Sequence, residues 1–411
     1  MDEVRRLQAV SYWPGFNPGT IAAAVFDGED TYLFDFPSLP KNFRPVEGRG
    51  GVSVFPGQHP AVIGNRRVQL DGVWVATSIP RLFTSSGGRP FTLTETAAVL
   101  IHEKFHVFQA LRHPDWKPND LALFDYPADS IEAVTLRQME IEELRRAVRA
   151  EREEDARGWA RAFLNIRRQR LAALPARHAR YEREAQRLEG LAEYVEFLAR
   201  GHGLEEDFPA SEFAPSAPRE MAYGEGRWVA ALLDRLSPRW KEAMEEGEFA
   251  YPEQKLDSVL RGGPGPRVFS SDELRLFREQ AAAALDKKSA ERGRLARAFE
   301  SKMGTEIEID ARDDPLHIEM FDPFTIEAVG TGKMIHTQWL VLKNDNGVVR
   351  IYDKPCLTEI NDLLQVVRLV ITGISVRKPN LAALTREGIA AVFRDFRVSV
   401  KDGRYIMRLK K

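Results

Sequence analysis

A helix that is apolar on almost every side has to be enclosed by protein, and the stretch from Thr94 to Pro114, TETAAVLIHEKFHVFQALRHP, is of that kind. Ala97, Ala98, Val99, Leu100, Ile101, Phe105, Val107, Phe108, Ala110 and Leu111 put apolar atoms nearly all round a helical wheel. The fold must therefore build neighbours around this segment. Yet its middle carries His102, Glu103 and His106. Each polar group left unpaired there would cost on the order of 1–3 kcal/mol, so either a hydrogen-bond network or a bound metal has to satisfy the three side chains.

The flanking sequence supplies neighbours of two kinds. Up to about residue 90 the pattern is β: TIAAAVFDGEDTYLFDFP reads as a hairpin turning at Asp27-Gly28, and RRVQLDGVWVATSIP as another turning at Asp71-Gly72. From about Thr92 to Lys302 the pattern is helical. Thr92 and Glu95 fit a capping box that opens the HEKFH helix, and Pro114 follows its end. A charged segment over about 129–175 predicts one or two extended helices forming an inserted arm, stopped near Pro175. Two further helices are predicted, one closed by Gly201 and Gly203 and one by Pro238, and another spans about 271–302. The tail alternates again, with turns at Asn346-Gly347 and Asp402-Gly403, and reads as a small β-rich or α+β module over 303–411.

Composition removes several function classes. With 59 Lys and Arg against 61 Asp and Glu in 411 residues, there is no global pull toward nucleic acid or an anionic membrane. The single Cys356 excludes an intramolecular disulfide and a zinc-thiolate cluster, and reads as a small core residue near a strand end. No stretch has the apolar length of a membrane span, and the N-terminal residues show no long apolar signal core. The expectation is a cytoplasmic protein, or a secreted one if a leader has been trimmed. VGTGKM at 329–334 is not a phosphate loop, because Glu327 stands where a glycine is required and Met334 where a Ser or Thr would hold magnesium. NIRRQR at 165–170 follows EREED and is expected to be a solvated helix face. His178, His317 and His336 are isolated, and Trp116, Trp159, Trp228 and Trp240 are expected to be packing anchors.

His102 and His106, four residues apart, project from one helical face, where two imidazoles can bind one ion. Glu103 beside them can take the proton of a zinc-bound water without ligating. A third ligand must come from elsewhere, since a catalytic zinc takes three protein ligands and keeps a position open. LEGLAEYVEFLARG offers Glu189, Glu193 and Glu196 on one face, and helical spacing alone does not choose among them.

HEKFH followed downstream by Glu189-Gly190-Leu191-Ala192-Glu193-Tyr194 resembles the gluzincin metallopeptidases. The resemblance implies a zinc held by His102, His106 and Glu189, with Glu103 as general base and then acid. In the aminopeptidase-like branch the zinc glutamate opens a Glu-Gly-aromatic-Ala sequence, matched here except that Leu191 replaces the aromatic. Glu193 matches the offset at which thermolysin-like members place a carboxylate that orients a zinc histidine. AYGEGRW is similar to a Tyr-x-x-Gly helix start, which makes Tyr223 the donor to the oxyanion and places Gly226. The resemblance covers about residues 90–240. Two departures stand out: the separation of 83 residues from His106 to Glu189 is long for an aminopeptidase, and the Gly-x-Met-Glu-Asn anchor for a free amine is missing. The resemblance also implies a strand edge for the substrate backbone, for which GVWVATSIP is the candidate.

The expected architecture is α+β: a β-rich portion over 1–90 with the substrate-edge strand, a zincin-like helical catalytic domain over 91–302, and the module over 303–411. The expected function is hydrolysis of peptide bonds in a peptide or protein substrate, with one zinc per chain and neither nucleic acid nor membrane as partner. The alternative is a zinc-binding pseudo-peptidase that acts as a scaffold.

Overall fold

Six strands build the N-terminal sheet, the central β1 buried on both faces: β1 (Ala22–Phe26), β2 (Thr31–Phe34), β3 (Arg44–Pro45), β4 (Val52–Phe55), β5 (Arg66–Leu70) and β6 (Val73–Ser78). The computed structural model describes residues 2–80, 89–201, 217–352, 354–375, 388–401 and 403–410. The strand order is β3-β4-β2-β1-β6-β5, with β1 and β6 parallel and the other neighbours antiparallel. Both expected hairpins form. Asp71 (φ 45°) and Gly72 (φ 81°) take the paired left-handed backbone that a two-residue hairpin turn requires. At the other turn, Asp27 accepts hydrogen bonds from the N–H groups of Glu29 and Asp30.

Before the sheet lies α1 (Asp2–Gln8), and after it come α2 (Leu93–Arg112), α3 (Ile131–Arg149), α4 (Glu153–Ala173) and α5 (Ala176–Ala185). A π-helical turn, Gln186–Gly190, leads directly into α6 (Leu191–Arg200). Then follow α7 (Pro218–Leu236), α8 (Trp240–Glu245), α9 (Pro252–Leu260) and α10 (Ser271–Glu300). Thr92 caps α2 in the expected reciprocal box with Glu95. Gly201 ends α6 in the left-handed region; Gly203 and Asp402 of the expected turns lie outside the described residues.

Alpha-2 is enclosed as its composition requires. Leu100 and Val107 pack on Ala23 and Ala76 of the sheet, whose small side chains let the helix approach closely. Ala98, Ile101 and Phe105 enter a large core with Trp13, Leu191, Tyr194, Trp228 and Trp240. Ile141, Leu144, Ala160 and Phe163 belong to the same core. Residues 129–175 are therefore not an arm: α3 and α4 are amphipathic, and their apolar faces need the same burial as α2.

The C-terminal strands are β7 (Thr305–Asp310), β8 (His317–Phe321), β9 (Ile326–Gly330), β10 (Lys333–His336), β11 (Leu340–Lys343), β12 (Gly347–Ile351), β13 (Cys356–Ile360), β14 (Val366–Ile374), β15 (Ile389–Phe393), β16 (Phe396–Lys401) and β17 (Arg404–Leu409). They form a sheet of order β16-β17-β7-β14-β13-β10-β9 and another of order β15-β12-β11-β8. The two sheets share one core, which includes Cys356, Ile309, Leu369, Leu340 and Val349.

The chain divides into two compact units, residues 1–118 with 133–274, and residues 119–132 with 275–411. This differs from the expected boundaries near 90 and 302. The N-terminal sheet and the helices cannot separate, because α2 covers one face of that sheet. Most of α10 joins the C-terminal strands, where Phe299 packs on Ile335 and Val370. The architecture is α+β, a helical central region between β-rich parts. Among the described residues no helix is long and apolar enough to cross a membrane.

Candidate metal centre

His102, Glu103 and His106 are 5%, 7% and 8% exposed, so all three are taken out of water as the sequence pattern demands. His102 Nε2 lies 3.0 Å from His106 Nε2, and His106 Nε2 lies 3.1 Å from Glu189 Oε2. These atoms form a group able to hold a metal ion. A tetrahedral zinc with bonds of about 2.0–2.1 Å has ligand-to-ligand edges of about 3.3 Å, close to the spacings seen here.

Proton positions strengthen the case. Gln109 Nε2 donates to the Leu188 carbonyl at 2.9 Å, which turns its Oε1 toward His106 Nδ1 at 2.8 Å. An amide oxygen only accepts, so the neutral His106 carries its proton on Nδ1 and presents a lone pair at Nε2. His102 Nδ1 lies 2.9 Å from Glu196 Oε2, which assigns its proton in the same way. With both rings neutral, three acceptors face one another, an arrangement resolved either by a cation among them or by a second proton on His102, whose Nε2–H would then donate to His106 Nε2.

The carboxylates around the trio are in different states. Burial raises the pKa of Glu189, but Arg219 and the two histidines outweigh it and hold Glu189 well below the usual carboxylate range. Arg219 Nη2 donates to its Oε1 at 2.6 Å, leaving Oε2 for the trio. Glu103 is shifted upward, because burial outweighs His106 and His102, and its Oε2 meets no hydrogen-bond partner among the described residues. For His102, burial favours the neutral ring, but Glu196, Glu103 and Glu193 push its pKa up to about 9. In the metal-free chain a proton therefore competes for this ligand.

The glycines explain how the second and third helices meet. A Cβ on Gly190 would stand 2.4 Å from Gly226 Cα, and one on Gly226 would stand 2.5 Å from Gly190 Cα. Gly190 thus lets its backbone touch α7. Arg219, Tyr223 and Gly226 share one face of α7, so this contact brings the first two to Glu189. The Tyr223 hydroxyl is hydrogen-bonded to Glu189, and its ring stacks parallel to His102 with centroids 6.0 Å apart. Burial, then the Glu189 charge, raise the phenol well above its ordinary value, so it keeps its proton.

Glu193 is not the nearest carboxylate to His102. It stands 3.9 Å from Nδ1 and pairs with Arg227 at 3.2 Å, whereas Glu196 holds the 2.9 Å position and is itself paired with Arg200. One turn of helix separates the two, and the π-helical turn changes which of them faces α2. GVWVATSIP is likewise displaced from its expected role: β6 is paired on both sides, by β1 and β5, and the edge strand is β5. Gln109 and Arg219 were not assigned from sequence, and Glu196 was a candidate for the third ligand rather than for orienting His102. Gln109 sits three residues after His106, a spacing that puts it on the face of the ring it orients, and Arg219, four before Tyr223, shares a face with Tyr223 and with it reaches Glu189.

Comparison with family models, with curated proteins and with solved structures finds no match to this chain.

Proposed function

We propose that the chain is a zinc-dependent peptidase of the gluzincin type, hydrolysing peptide bonds with a metal-activated water. The observation that carries this reading is the convergence of His102 Nε2, His106 Nε2 and Glu189 Oε2 beside a buried Glu103 whose Oε2 has no hydrogen-bond partner among the described residues. The donor set, two imidazoles and one carboxylate, fits zinc. Zinc, when bound, supplies a Lewis acid that polarises a carbonyl and makes water acidic near neutral pH.

The remaining chemistry belongs to the chain. Glu103 accepts the proton of the attacking water at Oε2 and delivers it to the leaving amine, and its upward shift makes it a stronger base than a solvated carboxylate. Tyr223, kept protonated, donates its O–H to the oxygen that gains charge as the carbonyl is attacked. Glu196 and Gln109 hold the two histidines in the ligating tautomer. Arg219 keeps Glu189 ionised.

Metal analysis of protein purified without chelator, followed by a broad peptide library, tests this. One zinc per chain and cleavage are expected. No bound metal and no uptake on adding zinc would overturn the metal site. Tight zinc without cleavage would replace the peptidase by the pseudo-peptidase.

A further inference from the structure

One row of side chains crosses the N-terminal sheet as Phe34, Ala23, Ala76 and Arg67. Ala23 is in register with Phe34 and with Ala76, and Ala76 with Arg67. Residues directly opposite on neighbouring strands share a face. Ala23 and Ala76 pack on Leu100 and Val107 of α2, with Phe34 beside them. Arg67 therefore ends this row on the α2 side of the sheet; Arg66 alternates along the strand, though Glu103 favours its charge too, and only Arg67 is also favoured by Glu189. On α2, Glu103 falls between Leu100 and Val107 at the i+3 place of the same face. The last strand thus brings a guanidinium toward the part of α2 that carries the proposed base.

Electrostatics agree with this placement. Burial disfavours the charge on Arg67, and the carboxylates of Glu189 and then Glu103 favour it. Among the described residues its guanidinium makes no hydrogen bond and has no ion-pair partner. A half-buried guanidinium without a fork of acceptors forgoes the pairing that usually offsets its desolvation. Strand β5 is also the edge strand on this side, with no further strand paired to it among the described residues. An edge of this kind accepts an extended peptide through its main chain.

Resting on the peptidase reading, we infer that Arg67 is a specificity-determining residue that binds a carboxylate of a peptide laid along the outer edge of β5, so that the preferred substrates are anionic next to the cleaved bond. The carboxylate has two possible sources, a free C-terminus or an Asp or Glu side chain. A planar guanidinium takes either in a bidentate pair. The competing role for Arg67 is to offset the charges of Glu103 and Glu189 without touching substrate.

Matched peptides separate these roles: free acid against C-terminal amide, and Glu against Gln at each position flanking the cleavage point, assayed as kcat/KM with the zinc-loaded full chain. Wild type is expected to favour one acidic series by about 10- to 100-fold, the span of a charge-assisted bidentate pair. The series that shows the preference identifies the source. Arg67→Gln should abolish the preference by slowing only the acidic peptides, and Arg67→Lys should restore part of it. Equal slowing of acidic and neutral peptides in Arg67→Gln, or no preference in wild type, would overturn the inference while leaving the peptidase reading intact. If wild type cleaves nothing, that reading fails, and equilibrium binding of the same peptide pairs to zinc-loaded wild type decides the role of Arg67. An affinity gap that Arg67→Gln closes supports it, and the lack of a gap overturns it.

Discussion

The turn Gln186–Gly190 takes part in two buried polar clusters, and they balance charge in different ways. At its start, Gln186 accepts from Arg167 at 2.6 Å inside a network of Arg137, Arg167, Arg170, Glu140, Glu182, Glu225 and Glu253. Every close contact there runs from a donor to an acceptor: Arg167 to Glu140 at 2.6 Å, Arg170 to Glu182 at 2.8 Å, Arg137 to Glu182 at 2.6 Å. Burial and the charge of Glu140 push Glu225 up to about 7, so the excess carboxylate is partly protonated near neutrality. Near its end, Glu189 meets two imidazoles that, when neutral, present lone pairs to the same point, acceptor against acceptor. The first cluster is closed by the chain's own cations and braces the turn. The second is closed by a foreign cation or, without one, by a proton on His102.

The comparison breaks if the open cluster does not need a metal. Glu189→Gln is expected to abolish stoichiometric zinc binding, read by metal analysis after dialysis, because one of only three protein ligands is lost. Retained stoichiometric zinc would move the third ligand elsewhere. Glu103→Gln should keep its zinc and lose about 10²- to 10⁴-fold in kcat, since an amide cannot take the proton. An unchanged rate would remove Glu103 from the mechanism.

The closed cluster should respond in stability rather than in metal content. Arg167→Met removes one of the guanidinium partners of each of the buried Glu140 and Glu253, leaving Arg170 and Arg183, and is expected to cost about 3 kcal/mol, measured by denaturant unfolding of the metal-free protein. A change below about 1 kcal/mol would show that the network contributes little to stability beyond its hydrophobic surroundings.

A pH experiment sharpens the same contrast. Burial and the charge of Glu140 push buried Glu143 up to about 9 from an ordinary 4.5. Above pH 4.5 the unfolded chain has released this proton while the folded chain still holds it. The contribution of Glu143 to stability therefore falls as pH rises toward 9 and is flat above that. Between pH 4.5 and 7 the loss is about 3 kcal/mol, and Glu143→Gln should remove that slope from the difference between the two unfolding curves. Parallel curves would mean that Glu143 ionises normally.

The smallest effect concerns orientation of a ligand. Glu196→Gln should weaken zinc binding by about 10- to 100-fold, and Glu193→Gln by less, because Glu196 is the carboxylate nearer to His102 Nδ1. Chelator competition measures both. The reverse order would return the orienting role to Glu193.

Much of this site is legible in the chain itself, and the reason is local. His102, Glu103 and His106 share one helix, so a period of 3.6 residues settles their common placement, and the apolar letters around them require burial. The capping box at Thr92 and Glu95 and the turn at Asp71-Gly72 are readable for the same reason, since each depends on contacts within a few residues. The solvated face expected for NIRRQR holds for Asn165, Arg168 and Gln169 but not for Arg167 and Arg170, which look like surface residues until their carboxylates arrive from α3, α5 and α9, 12 to 86 residues away along the chain.

What sequence determined by itself was the presence of a buried polar trio on an enclosed helix, and the three carboxylates of LEGLAEYVEFLARG as a shortlist for its partner. Tertiary structure decided which carboxylate does what. The π-helical turn and the Gly190–Gly226 contact set the rotation of Glu189, Glu193 and Glu196 against α2, and that rotation depends on how closely two backbones approach rather than on helical spacing. The edge strand was decided in the same way. Strand order is a property of the whole sheet, so no local pattern in RRVQL or VWVATS reveals which of the two is left with an open side.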